Sequence, residues 1–168
     1  MKKSFIVCFV LIALFIQNIS GQELGDLYTT RFFSISVPRG WQSIDIGMDF
    51  LQINGPSGGA FPPNMNFYNV DYSGSVSDYV NVIMDSAPKN FSNFRILNRS
   101  AFSTTAGVTG EKVTYQGTMG TRSIRQIMYV FPNRRGTGII EITGAVPISE
   151  GERLDATFDA SVRTFILR

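Results

Sequence analysis

Residues 122–147, RSIRQIMYVFPNRRGTGIIEITGAVP, decide the fold of this chain. Residues 122–131 predict a β-strand in which both faces are apolar, one with Ile127, Tyr129 and Phe131 and the other with Ile124, Met128 and Val130. A strand buried on both faces needs a packed layer on each side. Residues 137–146 predict the next strand. The short linker at 133–136 makes the two strands antiparallel neighbours, because a parallel pair needs a long crossover.

Strand patterns continue on both sides of a predicted helix. Upstream of the pair, residues 94–104 and 111–118 predict two more strands, and short Gly-bearing turns make all four a meander. Before the helix, residues 32–37 alternate apolar and serine side chains with period two. Residues 50–53 and 65–72 predict two further strands. Seven strands are therefore expected.

Two helices are predicted to cover this sheet. The first helix is predicted to begin at a capping box formed by Ser75 and Asp78 and to end at Pro88. Its apolar residues form one stripe. They are Val76, Tyr79, Val80, Ile83, Met84 and Ala87. The second is predicted to begin at a capping box of Ser149 and Glu152. Its stripe continues toward the C-terminus through Leu154, Phe158, Ser161, Val162, Phe165 and Ile166. The order βββ-α-ββββ-α indicates an α+β fold, an αβα sandwich with a twisted antiparallel sheet of about seven strands and helices on both faces.

This pattern resembles the PsbP-like family, which includes the extrinsic photosystem II subunit and exported bacterial proteins. The resemblance rests on FSISVPRGW at 33–41, on the single helix after three strands, and on the meander ending in EITGAVP at 141–147 before a closing helix. It covers residues 31–168 as one domain. It implies an αβα sandwich that acts as a binding or accessory module. The family's metal sites use histidine, and this sequence has none to receive them.

The N-terminus is typical of an export signal. Lys2 and Lys3 precede an apolar run at 5–16, which is too short to span a bilayer comfortably. We expect a signal peptide at 1–21 with cleavage after Gly21, a short polar lead at 22–30, and no stable transmembrane span afterwards. The protein is then expected in the periplasm or outside the cell. A retained N-terminal anchor is the alternative.

Composition excludes several chemistries. The chain contains no histidine, and its one cysteine, Cys8, lies in the signal segment. Histidine and cysteine carry most proton transfer, thiol catalysis and soft-metal binding at neutral pH, so we predict no enzyme, no metal site and no cofactor. Removing Lys2 and Lys3 from the 15 basic residues leaves 13 basic and 13 acidic side chains. A net positive electrostatic field that would attract nucleic acid is therefore not expected.

The acidic residues receive a structural interpretation. Glu150, Glu152, Asp155 and Asp159 fall at the start of the predicted second helix, where negative charge favours the helix dipole. Two carboxylates suffice for a glycosidase, so a carboxylate-based hydrolase stays an alternative, although no pair stands out.

The candidate binding residues lie at turns and on one strand. Arg134 and Arg135 occupy a predicted hairpin tip, Arg122 starts the preceding strand, and Phe61 stands among Gly and Pro residues in the loop at 55–64. Clustered arginines suit an acidic partner or a lipid headgroup.

We predict an exported non-catalytic binding or accessory protein whose partner is another envelope protein. A carrier of a small apolar ligand or lipid is the alternative. Trp41, next to a Pro-x-Gly turn, is expected in the core.

Overall fold

A seven-stranded antiparallel sheet forms the middle layer of the molecule in the computed structural model. The structure describes residues 23–47, 50–56, 61–133 and 138–168. The predicted signal peptide at 1–21 lies outside these residues. The strands are β1 (Leu24–Thr29), β2 (Phe33–Pro38), β3 (Gln42–Gly47), β4 (Phe50–Asn54), β5 (Asn64–Val70), β6 (Ser92–Ser103), β7 (Thr109–Met119), β8 (Arg122–Pro132), β9 (Ile139–Pro147) and β10 (Ile166–Leu167). The helices are α1 (Val76–Ser86) and α2 (Asp155–Arg163), and 3₁₀ turns occupy Ala87–Lys89 and Ile148–Leu154.

The topology confirms an α+β fold with a seven-stranded antiparallel sheet. The main sheet has the order β3-β4-β5-β9-β8-β7-β6, and a second, three-stranded sheet has the order β1-β2-β10. The meander β6 to β9 pairs consecutively through short turns, as the linkers predict. Strand β9 then pairs with β5, so the strands before α1 join the edge of the meander.

Strand β8 is packed on both faces, as its sequence predicts. Ile127, Tyr129 and Phe131 belong to a core shared with β2 and α2. Met128 and Val130 belong to the core under α1. The two helices therefore lie on opposite sides of the sheet, and the alternation of one strand feeds both cores. Each fully buried side chain of this size stabilises the fold by about 1.5–3 kcal/mol.

Trp41 lies in the core, as its position after the Pro-x-Gly turn predicts. Its side chain is 7% exposed. The ring meets Phe158 of α2 edge-on, with the ring centroids 5.8 Å apart. A Cβ on Gly55 would lie 2.9 Å from this ring, so the glycine leaves the space that the tryptophan occupies.

The three-stranded sheet differs from the sequence prediction. Residues 24–29 of the expected polar lead form β1, whose Leu27 is 56% exposed. Strand β2, expected in the main sheet, instead pairs with β1 and β10, and the unpredicted β3 takes the place at the main sheet's edge. Residues 24–29 become a strand because their backbone pairs with β2. Their side chains do not alternate between apolar and polar, so the sequence pattern does not predict β1.

The second helix begins and ends differently from its prediction. Ser149 and Glu152 form no capping box, because residues 148–154 make a 3₁₀ turn in which Gly151 adopts φ 51°. Helix α2 starts at Asp155 without a side-chain cap. It ends at Arg163, and Ile166 pairs with Ser34 of β2 instead of continuing a helical stripe. The capping box of α1 is confirmed: the Asp78 amide donates to Ser75 Oγ, and the Ser75 amide donates to Asp78 Oδ2.

Candidate binding surface

Among the described residues, helix α1 covers only part of its side of the sheet. A helix of 11 residues is about 16 Å long, whereas seven strands spaced by about 4.8 Å span about 29 Å. The core under α1 includes Val113, Met128, Val130 and Ile139, from β7, β8 and β9. Among the described residues, the side chains of β4 and β5 on the same side stay partly exposed, and an open pocket lies over β5 and the neighbouring parts of β8 and β9.

Polar side chains fill this open region. We call it the amide–tyrosine face, and it consists of Gln52, Asn54, Asn64, Asn66, Tyr68, Gln126, Glu141 and Thr143. The register places Gln52 opposite Asn66, and Asn66 opposite Thr143. Paired residues of neighbouring strands point to the same side of a sheet, so these side chains share one surface.

The opposite side of β4 and β5 explains this pattern. Leu51, Ile53, Met65 and Phe67 are at most 1% exposed and belong to the core with β2 and α2. Side chains alternate between the two sides of a strand. The residues that alternate with these four therefore face away from that core, and in β4 and β5 they include four amides and one tyrosine: Gln52, Asn54, Asn64, Asn66 and Tyr68.

The amides are ordered by hydrogen bonds along their own strands. Gln52 Nε2 donates to Asn54 Oδ1 over 3.0 Å. Asn66 Nδ2 donates to Asn64 Oδ1 over 2.9 Å, and Asn64 Nδ2 donates to the Pro62 carbonyl over 3.2 Å. Side chains held in this way lose less conformational freedom when a partner binds.

Glu141 lies where the face meets α1. Tyr79 of α1 donates its hydroxyl to Glu141 Oε2 over 2.5 Å, and Thr143 Oγ1 donates to Glu141 Oε1 over 2.9 Å. Tyr68 lies directly opposite Glu141 in the β5–β9 register. Both carboxylate oxygens are thus fixed by neutral hydroxyl donors.

An open pocket of about 280 Å³ surrounds this carboxylate. We call it the Glu141 pocket, and it is lined by Asn66, Tyr68, Val70, Tyr79, Tyr115, Gln126, Glu141 and Thr143. These described residues include one carboxylate and no lysine or arginine. Five structural elements contribute to the pocket, so its shape depends on the folded sheet.

The phenols around Glu141 are held in their neutral form. Burial is the largest cause of the raised pKa of Tyr79. The hydrogen bond to Glu141 and the negative charge of Glu141 raise the pKa of Tyr79 further. Burial and the charge of Glu141 also raise the pKa of Tyr115 and of Tyr68. One negative charge therefore influences three tyrosines from three different elements.

Two of the acidic residues near α2 also anchor the helix to the sheet, and one of them, Asp155, lies in the first turn of the helix as the sequence predicts. Asp155 Oδ2 accepts from Arg125 Nη2 over 2.6 Å. Asp159 Oδ1 accepts from Lys112 Nζ over 2.7 Å and from the Tyr129 hydroxyl over 2.6 Å. Their carboxylates are thus engaged with basic and phenolic groups of β7 and β8.

Two of the predicted binding residues meet at a different place. Phe61 and Arg122 line a cleft of about 430 Å³, together with Thr121, Ser123, Pro147, Ile148 and Ser149. We call it the Phe61–Arg122 cleft. Phe61 is half-buried and Arg122 is exposed. Arg134 and Arg135 lie outside the described residues.

Sequence reasoning missed the amide–tyrosine face. Its signal was present in β4 and β5, where Gln52 and Asn54 alternate with Leu51 and Ile53. That alternation indicates a strand with one polar side. The contribution of Glu141, Gln126 and Tyr79 depends on strand order and helix placement, which the sequence did not specify.

The described residues hold no group of three or more acidic, histidine or cysteine side chains placed to bind a metal ion. Within the same ranges, no helix has both the length and the apolar character needed to cross a membrane.

Comparisons with known proteins support the fold. No family model matches the chain, and no curated protein matches it. The cyanobacterial PsbP of Synechocystis sp. PCC 6803 matches with a TM-score of 0.61 and 13% identity, covering 90% of this chain and 96% of its own. LpqN, involved in cell envelope biogenesis of Mycobacterium tuberculosis, matches with a TM-score of 0.58 and 13% identity, covering 80% and 82%.

A eukaryotic protein shares the same architecture. The Ran-binding protein Mog1p of Saccharomyces cerevisiae matches with a TM-score of 0.59 and 9% identity, covering 80% of this chain and 89% of its own. Identities this low carry information about the fold alone. The chain therefore has a PsbP-like fold, as the FSISVPRGW segment and the order of its elements indicate.

Proposed function

We propose that the protein is an exported, non-catalytic accessory protein that binds a partner protein of the cell envelope through the amide–tyrosine face. The observation that carries this proposal is the part of the α1 side of the sheet that the described residues leave uncovered. An exposed face that only needed solubility would suit lysine and glutamate. This one instead presents ordered amides beside Tyr68, which is 39% exposed.

The composition of the face suits protein recognition. Tyrosine is enriched at protein interfaces, while lysine and glutamate are depleted there. Amide side chains both donate and accept hydrogen bonds. Ile44 of β3 is 45% exposed and pairs with Gln52, so it adds an apolar contact at the border of the face.

Several observations favour a role without catalysis. The Glu141 pocket has a single carboxylate among its described lining residues, and hydrolysis by two carboxylates needs a second one about 5–9.5 Å away. The acids near α2 already bind Arg125 and Lys112. These points disfavour the hydrolase alternative.

Site-specific photo-crosslinking in the native cell tests the proposal. A photoreactive side chain replaces Tyr68 in one variant and Ile96 in a control, because Ile96 is 50% exposed on the distant edge strand β6. We expect a crosslinked product with one envelope protein from position 68 and none from position 96. Cell fractionation of the same samples tests export. Equal products from both positions, or a cytoplasmic location, would contradict the proposal.

For the carrier alternative, we propose the Phe61–Arg122 cleft as the ligand site. Between the two sheets, Phe33 of β2 stacks on Phe67 of β5 with the ring centroids 5.3 Å apart, so these rings occupy the space there. In the cleft, Phe61 and Ile148 offer apolar contacts and Arg122 a positive charge. This chemistry suits an amphiphile with an anionic head. Native mass spectrometry of protein purified without detergent should then show an added mass that Arg122→Ala removes. A bare polypeptide mass would argue against the carrier.

A further inference from the structure

Among the described residues, no basic side chain balances the charge of Glu141. Within the described part of the chain, no ion pair joins Glu141 to a lysine or arginine. Its hydrogen-bond donors, Tyr79 and Thr143, are neutral. A partly buried carboxylate without a counter-charge attracts a cation, because fewer water molecules screen it.

The pocket offers acceptors to such a cation. Besides the carboxylate, its lining contains Asn66 and Gln126, whose side-chain amides each carry an acceptor oxygen. A primary ammonium carries three N–H donors and so needs several acceptors in one place. A calcium ion requires six to eight oxygen ligands, and a single carboxylate with neutral amides is a weak set for it.

The three tyrosine rings add to this attraction. Tyr68, Tyr79 and Tyr115 line the pocket from β5, α1 and β7. The face of an aromatic ring attracts a cation within about 6 Å, and the same rings pack against an alkyl stem. A side chain with an apolar stem and a charged tip fits both features.

The state of the carboxylate favours lysine over arginine. Arginine binds carboxylates best through two parallel hydrogen bonds, one to each oxygen. Here Oε2 already accepts from Tyr79 and Oε1 from Thr143, which hinders that two-pronged approach. An ammonium group is a compact charge, so it can approach the carboxylate of Glu141 from a single direction. The volume of about 280 Å³ corresponds to roughly nine water molecules and admits a four-carbon stem.

We propose that the Glu141 pocket takes up the primary ammonium group of a lysine side chain presented by the partner protein. This inference rests on the proposed function, since it names the chemistry that the partner brings to the amide–tyrosine face. A free small amine is the other source of the same group, and the experiments below separate the two.

Titration with n-butylammonium, the side-chain end of lysine, tests the pocket directly. We expect amide signals of β5 and β9 around Glu141 to shift in NMR spectra of the protein. 1-Butanol, which has the same stem and no charge, should cause no comparable shift, and tetramethylammonium, which lacks N–H donors, should bind more weakly. Equal binding of the alcohol, or stronger binding of tetramethylammonium or calcium, would overturn the proposal.

Matched variants identify the groups responsible. Glu141→Gln keeps the shape of the side chain and removes its charge, so affinity for n-butylammonium should fall about tenfold or more. Asp85→Asn makes the same charge change on the exposed surface of α1 and should leave affinity unchanged. Tyr68→Leu should weaken binding about two- to fivefold, and Tyr68→Phe should retain it. Unchanged affinity in Glu141→Gln would overturn the proposal.

Crosslinking distinguishes failure of this inference from failure of the proposed function. If position 68 crosslinks to a partner and Glu141→Gln leaves the yield unchanged, the lysine contact is wrong and the binding face stands. If n-butylammonium binds through Glu141 but no partner crosslinks, the partner-lysine proposal fails, and the pocket serves a free amine. A carbodiimide joins a carboxylate to an amine with loss of water, so it should link Glu141 to a partner lysine, and this product should vanish in Glu141→Gln.

Discussion

Asp159→Ala should strongly destabilise the attachment of α2 to the sheet. Asp159 Oδ1 and Oδ2 accept from Lys112 Nζ at 2.7 and 2.8 Å, and Oδ1 accepts from the Tyr129 hydroxyl at 2.6 Å. The Tyr129 side chain is fully buried, and the Lys112 side chain is 14% exposed. The substitution leaves both donors without this acceptor.

The size of the effect follows from these two donors. A buried hydroxyl that loses its acceptor costs about 1–3 kcal/mol. A buried charge that loses its partner costs about 3–5 kcal/mol, and the partial exposure of Lys112 lowers that figure. We expect Asp159→Ala to lower the free energy of unfolding by about 3–4 kcal/mol in urea titrations at neutral pH, with an unchanged dependence on urea concentration.

A second substitution separates the two contributions. Tyr129→Phe in the Asp159→Ala background removes the unpaired hydroxyl and should recover about 1 kcal/mol. Asp85→Asn, on the exposed side of α1, should change stability by less than about 0.5 kcal/mol. A loss below about 1 kcal/mol in Asp159→Ala would refute the reasoning that these contacts fix α2.

Three further predictions concern the core, the tyrosines and the arginine tip. Trp41→Ala should lower the free energy of unfolding by about 3–5 kcal/mol, because the ring is buried, and a melting-temperature shift of only a degree or two would contradict this. Burial raises the pKa of Tyr115 and Tyr129, so these two residues lose their protons first in the unfolded chain. Their contribution to stability should be constant below about pH 10 and fall above it, and ionisation of either residue before unfolding, followed by NMR, would contradict this. The double substitution Arg134→Ala with Arg135→Ala should change stability by less than about 0.5 kcal/mol. It should weaken partner binding and lessen the salt dependence of that binding. If the wild-type protein and the double variant bind the partner with equal affinity at low and at moderate salt, this tip is not part of the binding surface.

Elements with local signals could be predicted from the sequence. Helix α1 has a capping box at Ser75 and a clear apolar stripe, and its first residue matches the prediction. Strand β8 has apolar residues on both faces, and this pattern alone predicts that both faces are buried. Such signals operate within a few residues of the chain, so periodicity and cap chemistry detect them.

Elements that depend on distant pairing could not be predicted in this way. Strand β1 exists through its pairing with β2, and β10 is a two-residue strand on the other side of β2. The start of α2 is set by the turn at Gly151 rather than by a side-chain cap. The Glu141 pocket combines five elements, and only the final strand order brings Tyr68 next to Glu141.

The junction of β2 with the C-terminal residues has a consequence for synthesis of the protein. Phe165 lies against Phe33 and Phe131, with ring centroids 5.5 and 5.2 Å away, and Leu167 pairs with Phe33. These contacts cannot form until residues 165–167 have left the ribosome. The first strands of the domain therefore wait for residues 165–167, and a nascent chain lacks a complete core until these residues emerge. This long sequence separation favours slow folding.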